Sequence, residues 1–430
     1  MLLFLIVLMI IGGVVFKLLT GDERQHALQT ALAIVEEIKH AARTRPEEAA
    51  VHDALKERVR WVLVVPALIA LMVMVFVAMT FGAGSLADAD TLIGWGASIG
   101  TRTSNAEWWR LVTAIFVHSG LTQVIVFSIG LAQVGSIVER GLGRPVMAVA
   151  FLFGGIFSGL THLSNHPAAL GFGASGAVFG VYGLFAAFMA WTVITKSPLR
   201  LPRPALKKLT PAAALFVLYA LANGNLDASA DLTGFMCGAF CGIVVLVGTT
   251  DPLATPKRAA AALAAVAIFA IGSAIPLRGF ANIAPELARL VTVEKRTSAV
   301  YEAADKKFHQ RKITADALAD LIDREIVPEL NTSQARLDAI HKVPQEHQHM
   351  MDDARRFVAL RAESWRFRSQ ALRRVELRDL QKTNGIEEST QWRRRADAQH
   401  RANLAMLGNA DGKEYASLQV LKRIEGARFY

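Results

Sequence analysis

A four-residue stretch near the middle of the chain combines a nucleophile with the backbone geometry that acyl transfer requires. In Gly173-Ala174-Ser175-Gly176, a serine lies between small residues, directly before a long apolar run. At a helix start the first backbone N–H groups have no partner within the helix, so they can hold an oxyanion. The stretch therefore indicates a serine nucleophile at the mouth of an apolar helix, although a serine here is also an acceptable small packing residue.

Glycines at helical spacing follow this serine and recur some 60 residues later. They are Gly176, Gly180 and Gly183 in the first set, and Gly234, Gly238 and Gly242 in the second. Residues without side chains allow two helix backbones to approach each other closely. We therefore expect the two helices to pack together, with Ser175 next to the start of the later one.

The elements that carry these residues are apolar runs long enough to cross a bilayer. Of the 430 residues, 53% are hydrophobic and 20% are charged, and the charge is concentrated in the last third of the chain. A run of about 18 or more apolar residues indicates a membrane-spanning helix, because unpaired backbone groups are too costly in lipid. The sequence predicts an all-α polytopic membrane protein. The predicted spans lie at about 61–82, 111–137, 145–162, 174–194, 208–223, 231–249 and 259–275.

Basic residues occur in alternate loops between these runs. The basic clusters are at 56–60, 140–144, 196–208 and 257–258. All four can lie on the cytoplasmic side at once, as the positive-inside rule requires. This pattern explains the net charge of +10 and argues against nucleic-acid binding. The loops predicted at the outer face are 83–110, 163–172 and 224–230.

Composition divides the chain into five segments. Leu2–Phe16 is apolar and its first positive charges follow it, which favours an uncleaved anchor whose N-terminus lies outside. The expected segments are an anchor helix at 1–20, a cytosolic amphipathic linker at 21–60, a six-helix core at 61–250, an additional transmembrane helix at 251–280 and a helical, soluble, extracytoplasmic domain at 281–430.

The sequence indicates neither a metal site nor a cofactor. Cys237 and Cys241 lie four residues apart in one apolar run, where two small thiols are most simply packing residues. His347 and His349 are two residues apart and therefore lie on different faces of a helix, which disfavours a shared metal ion. The expected partners are the lipid bilayer and transmembrane proteins.

Several motifs, taken in order along residues 60–250, resemble the rhomboid family of intramembrane serine proteases. The matching elements are Glu107-Trp108-Trp109-Arg110, Phe116-Val117-His118 at the start of the second core helix, Glu139-Arg140 at its end, Gly173-Ala174-Ser175-Gly176, and Asp227 to Gly242. The resemblance implies a six-helix rhomboid core. It also implies a location in the membrane, which we expect to be a bacterial inner membrane.

The resemblance assigns roles to single residues. Ser175 falls at the nucleophile, with the N–H groups of Ala174 and Ser175 as oxyanion donors. Gln123 falls at a further oxyanion donor position. Phe179 falls where the family has an aromatic residue that stacks on the catalytic histidine. Gly173, Gly176, Gly180, Gly234 and Gly238 are motif and packing positions.

At two of the family's chemical positions this sequence departs from the pattern. In the register fixed by Asp227 and the following glycines, Asp231 occupies the site of the catalytic histidine. Phe127 occupies an oxyanion-donor site and has no group that can donate a hydrogen bond. We expect the Asp231 carboxylate to stop about 2 Å short of the position that an imidazole would reach, a misplacement that is costly for catalysis.

These departures leave two hypotheses open. The first is a pseudoprotease that binds transmembrane segments of client proteins, with lost or impaired proteolysis. The second is an active intramembrane serine endopeptidase that uses Ser175 with a substituted or displaced base. His162 and His166, next to the outer loop before Ser175, are candidates for a displaced base, although the simpler interpretation is that both are solvated loop residues.

Overall fold

The computed structural model describes residues 46–82, 86, 88–222, 227–374 and 390–426. The expected anchor helix and most of the expected linker lie outside this range. In the described part, regular structure is helical, apart from one isolated antiparallel bridge between Ser98 and Gly171. The all-α prediction is confirmed. The chain divides into two compact units, one up to Gly279 and one from Phe280 onward.

Eleven α-helices are described in the first unit. They are α1 Pro46–Arg58, α2 Val64–Gly82, α3 Ala89–Gly94, α4 Gly100–Thr103, α5 Arg110–Thr113, α6 Leu121–Leu142, α7 Arg144–Asn165, α8 Ser175–Ile194, α9 Arg203–Ala222, α10 Ala228–Leu246 and α11 Pro256–Ala274. Six of the described helices are long and apolar enough to cross a membrane: α2, α6, α7, α8, α10 and α11, the last with its 3₁₀ extension to Leu277.

The predicted span at 208–223 is a helix, but α9 is not among the six. Its first two turns carry Arg203, Lys207 and Lys208. The apolar part that follows is about 14 residues, or about 21 Å of helix, which is short of a hydrocarbon core of about 30 Å. The basic residues thus limit the apolar length of this helix.

The second predicted core span begins in the wrong place. Residues 110–116 form a short helix and a 3₁₀ turn, and α6 starts only at Leu121, after an extended Gly120. Phe116-Val117-His118 therefore precedes this helix and does not start it. Hydropathy does not reveal the break because Ile115, Val117 and Phe116 are as apolar as a membrane helix.

The centre of the first unit is a close packing of α7, α8 and α10 at glycines. A Cβ on Gly180 would lie 2.7 Å from the Ala150 carbonyl oxygen in α7, and one on Gly234 would lie 2.4 Å from the Gly176 carbonyl oxygen in α8. A Cβ on Gly238 would lie only 1.7 Å from the Gly180 carbonyl oxygen. The expected contact between the two glycine-bearing helices is present.

Two features attach the peripheral helices to this centre. The buried Glu139 in α6 accepts hydrogen bonds from the N–H groups of Leu63 (2.6 Å), Val64 (3.0 Å) and Val65 (2.9 Å), so it caps the start of α2. Val51 and Leu55 of α1 are buried in the same apolar core. The last part of the predicted linker is thus a helix docked on the bundle.

The second unit is a bundle of helices with its own apolar core. Its α-helices are α12 Ala284–His309, α13 Ala315–Leu321, α14 Val327–Asp338, α15 Gln348–Leu372 and α16 Thr390–Gly426, with a π-helical turn, Ile322–Ile326, joining α13 to α14. Arg361 is buried in this core, where it donates to Glu294 and lies over the Trp365 ring at 4.5 Å.

Candidate active site

Ser175 is the first residue of α8, as its sequence context predicts. The loop before it turns at Gly173, whose φ of +101° lies in the left-handed region that favours glycine. The Gly173 N–H donates to the Ala114 carbonyl at 2.8 Å, which holds this loop against the segment before α6. No side chain caps this helix start in the described structure, so its first-turn N–H groups are open to a ligand oxygen.

Asp231 lies in the first turn of α10 and faces this serine. The side chains of Ser175 and Asp231 are neighbours and interact electrostatically. The aspartate is only 6% exposed, whereas the serine is half-buried. Close packing at Gly234, where a Cβ would lie 2.4 Å from the Gly176 carbonyl oxygen, brings α8 and α10 together at this point.

A polar cluster joins the start of α10 to the end of α7. Asp227 is the N-cap of α10, and its Oδ1 accepts from the N–H groups of Ser229 (3.1 Å) and Ala230 (3.2 Å). Asn165 of α7 donates to Asp227 Oδ2 (3.1 Å) and to Ser229 Oγ (2.8 Å). Burial acts to raise the pKa of Asp227, but the hydrogen bonds from Ser229, Asn165 and Ala230 outweigh it and hold that pKa below its ordinary value.

The two outer-loop histidines lie in this cluster. Their ring centroids are 5.7 Å apart, and His166 Nε2 is 3.9 Å from Asp227 Oδ2. The His162 ring lies against Gly171, where a Cβ would be 2.9 Å from its Cδ2. These contacts place both histidines beside the cap of α10.

On the other side of the serine loop lie Gln123 and Phe127 of α6. Gln123 Oε1 accepts from the Ser119 N–H at 3.1 Å, and its Nε2 would be 2.7 Å from a Cβ on Gly173. The donor of this amide therefore lies beside the loop, as an oxyanion donor would. Phe127 is buried next to the same loop, with Cε2 at 3.4 Å from that Cβ position, and it offers only an aromatic edge.

Aromatic rings fill the space behind Phe127. Its ring centroid is 5.9 Å from that of Phe216 and 5.8 Å from that of His118. Phe179, predicted to lie where an aromatic residue stacks on a catalytic histidine, packs on Phe216 at 4.8 Å. Phe216 packs α9 against the core. Its side chain is fully buried, whereas the other described side chains of this helix are not.

His118 is also fully buried beside this cluster. Its Nδ1 lies 2.9 Å from the Phe116 carbonyl oxygen. Burial lowers the pKa of His118 to about 4, although that hydrogen bond acts to raise it. The imidazole is therefore neutral at physiological pH, with Nδ1 as the donor.

Sequence reasoning missed Asn165, which bridges two helices 62 residues apart in the chain. Its only signal is a polar amide at the end of an apolar run. Thr161 and Thr233, whose hydroxyls are 2.9 Å apart, form a second contact one turn further along the same pair of helices.

The fold and the site define a class of protein: an all-α, multi-pass integral membrane protein with a serine at a helix start, facing a carboxyl group from a neighbouring helix. Residues 105–248 match the rhomboid domain family. This stretch of the membrane protein is therefore a rhomboid domain.

Relatives with this domain include proteins from bacteria and from a protist. The chain is 29% identical to the Bacillus subtilis rhomboid protein YdcA over 152 residues, which cover 35% of this chain and 71% of YdcA. It is 25% identical to rhomboid protease GluP of Bacillus subtilis over 65% of this chain and 54% of GluP. It is 26% identical to rhomboid-like protease 3 of Toxoplasma gondii over 34% of this chain and 56% of that protein. The chain thus spans only about half the length of the last two, and the bacterial relatives fit a bacterial plasma membrane.

Proposed function

We propose that this protein binds transmembrane segments of client membrane proteins at the Ser175 site, and that its proteolysis is lost or impaired. The observation that carries the proposal is the pairing of Ser175 with Asp231 in the place that a serine protease of this fold gives to its base. The register set by Asp227, Gly234 and Gly238 supports the view that Asp231 stands at the family's histidine position.

Contact alone does not make Asp231 an effective general base. A carboxylate that takes the serine proton becomes neutral, whereas an imidazole becomes a cation that stabilises the oxyanion formed beside it. A well-matched general acid–base contributes about 10²- to 10⁴-fold to rate, so this substitution predicts a large loss.

The oxyanion pocket adds a second loss. Phe127 places a ring edge beside Gly173 where the family pattern has a hydrogen-bond donor. Removing one such donor typically costs about 10²- to 10³-fold in kcat. Gln123 and the N–H groups of Ala174 and Ser175 supply the donors that are left.

The scaffold, in contrast, keeps the features that position a bound segment. The glycine contacts among α7, α8 and α10 hold the serine helix in place, and the Asp227 cap fixes the start of α10. Retention of the scaffold with altered chemical groups is what a binding protein derived from a protease requires.

A second candidate function has its own support. An active intramembrane serine endopeptidase would use Ser175 as the nucleophile and Asp231 as its base, and the proximity of these two side chains favours it. Relatives named above, such as GluP and the Toxoplasma gondii protein, carry the name of protease. In that case the remaining oxyanion donors and the proximity of Asp231 to Ser175 would provide the rate acceleration.

Cleavage of a single-span reporter protein separates the two functions. The reporter is reconstituted with the wild-type chain, with Ser175→Ala and with Asp231→His. We expect no difference between wild type and Ser175→Ala, and at most partial recovery in Asp231→His, because Phe127 is unchanged. Cleavage by the wild type that disappears in Ser175→Ala would show the second function instead.

A further inference from the structure

Two acidic residues lie within the six described helices that are apolar enough to cross a membrane, and their surroundings differ. Glu139 is fully compensated. It accepts three backbone N–H groups at the start of α2, and Arg144 lies 3.8 Å from its Oε1. This is the usual state of an intramembrane carboxylate, which pairs with a cation or with hydrogen-bond donors.

Asp231 lacks such compensation. Its partners are the Ser175 side chain and, one helical turn toward the start of α10, the like charge of Asp227. No basic side chain of the described residues is among the groups that act on it. The nearby imidazole of His162 acts on Asp227.

A buried carboxyl group that has no ion-pair partner among the described residues is stabilised in its ionised form by a cation that enters the site. Inside a membrane, opposite charges on different helices pair because each is costly alone. Asp231 lies three residues into α10, which is about 5 Å of helix below the end where α10 begins. A cation that meets it therefore belongs to the first turn of an incoming transmembrane segment.

We infer that the Ser175 site selects client transmembrane segments that carry a lysine or arginine in the turn nearest the end at which α8 and α10 begin. The inference rests on the proposed client-binding function and names the clients that it takes. Asp231 is the residue that determines the selection, and Ser175 is a neutral neighbour within the same site.

The geometry suits a long basic side chain. Asp231 is buried whereas its neighbour Ser175 is half-buried, so a client group that meets the carboxyl group must reach below the protein surface. Lysine and arginine carry their charge at the end of a flexible apolar stem, which can pack along helix surfaces while the charged end finds a partner. A glutamate at the same client position would meet two like charges.

The test uses three single-span reporters that are identical except for lysine, glutamine or glutamate at the fourth residue of the span. Each carries a photo-crosslinker and is titrated against full-length protein in lipid vesicles. The protein carries Ser175→Ala throughout, so that no reporter is consumed. In this background Asp231 is left unchanged, replaced by asparagine or replaced by lysine.

Asp251→Asn is the matched control. It is the same substitution at an exposed aspartate that follows the opposite end of α10, where Asp251 pairs with Arg58 at 2.7 Å. This variant should keep the full preference for the lysine reporter. Thermal unfolding of every variant verifies that each is folded.

With Asp231 present, we expect the lysine reporter to be captured about tenfold or more better than the glutamine reporter, as is typical for a buried charge pair. Asp231→Asn should abolish that preference, and Asp231→Lys should shift it to the glutamate reporter. Equal capture of lysine and glutamine reporters would overturn this inference and leave client binding intact. Capture of none of the reporters would overturn both.

Discussion

Replacement of Gly238 by alanine tests the helix packing that holds Asp231 beside Ser175. The added Cβ would lie 1.7 Å from the carbonyl oxygen and 2.5 Å from the carbonyl carbon of Gly180. Both are backbone atoms, so no side chain can rotate away to make room. The two helices α8 and α10 must therefore move apart by about 1 Å in an interior that is packed without slack.

The magnitude follows from this geometry. Inserting a methyl group into a packed core typically costs about 1–3 kcal/mol. Because the obstacle is backbone on both sides, we expect Gly238→Ala to lie at the upper end, about 3 kcal/mol less stable than wild type. The separation should also weaken the contact between the Ser175 and Asp231 side chains.

Gly272→Ala is the matched control, because it is the same change in membrane helix α11 at a glycine whose Cβ would meet nothing within 4 Å. Alanine at an unstrained site restricts the unfolded chain and stabilises by about 0.4–1 kcal/mol. The assay is the free energy of unfolding of both variants in mixed micelles.

The reasoning would be refuted if Gly238→Ala and Gly272→Ala changed the free energy of unfolding by the same amount. A destabilised Gly238→Ala protein in which α8 and α10 keep their wild-type separation, measured by a spin-label distance, would also contradict it.

Three further predictions concern the groups around this packing. Phe216→Ala should cost about 3–5 kcal/mol, because it removes the buried ring of α9, and amide hydrogen exchange should quicken in α9 more than in α8. Glu139→Gln should cost about 1–3 kcal/mol in unfolding free energy, because it weakens hydrogen bonds to three N–H groups at the start of α2. The pKa of Asp227 is below its ordinary value of 3.8 in the folded protein, so its ionised form stabilises the fold. This contribution is complete above pH 3.8 and is lost as pH falls through the lower folded pKa. The stability difference between wild type and Asp227→Asn should therefore be constant at neutral pH and shrink in acid, whereas a constant difference at every pH would contradict the assignment.

Local pattern was sufficient to predict the helical class, the position of Ser175 at a helix start and the packing of the glycine-bearing helices. Each of these depends on a feature that repeats within one helix. The close contacts at Gly180, Gly234 and Gly238 show why the spacing was informative, since a Cβ at any of these positions would meet backbone.

Other features depend on tertiary distances that a linear pattern does not contain. The proximity of Asp231 to Ser175 depends on the separation of α8 and α10, which a linear sequence does not contain. The bridge from Asn165 to Asp227 joins distant segments and has no local signature. The predicted start of α6 was wrong because the residues before Gly120 are apolar for another reason. They are buried in the short helical turns and the loop that precede this helix.

Binding without cleavage at the Ser175 site can be tested on one gel, which measures both the capture and the cleavage of a transmembrane segment. A single-span reporter with a photo-crosslinker in its outer turn is incubated with wild type and with Ser175→Ala, irradiated and resolved for crosslinked adduct and cleavage product. We expect equal amounts of crosslinked adduct with both proteins, with the crosslink at the start of α8 or α10. We expect no cleavage product that depends on Ser175. A cleavage product formed by the wild type and absent with Ser175→Ala would contradict it.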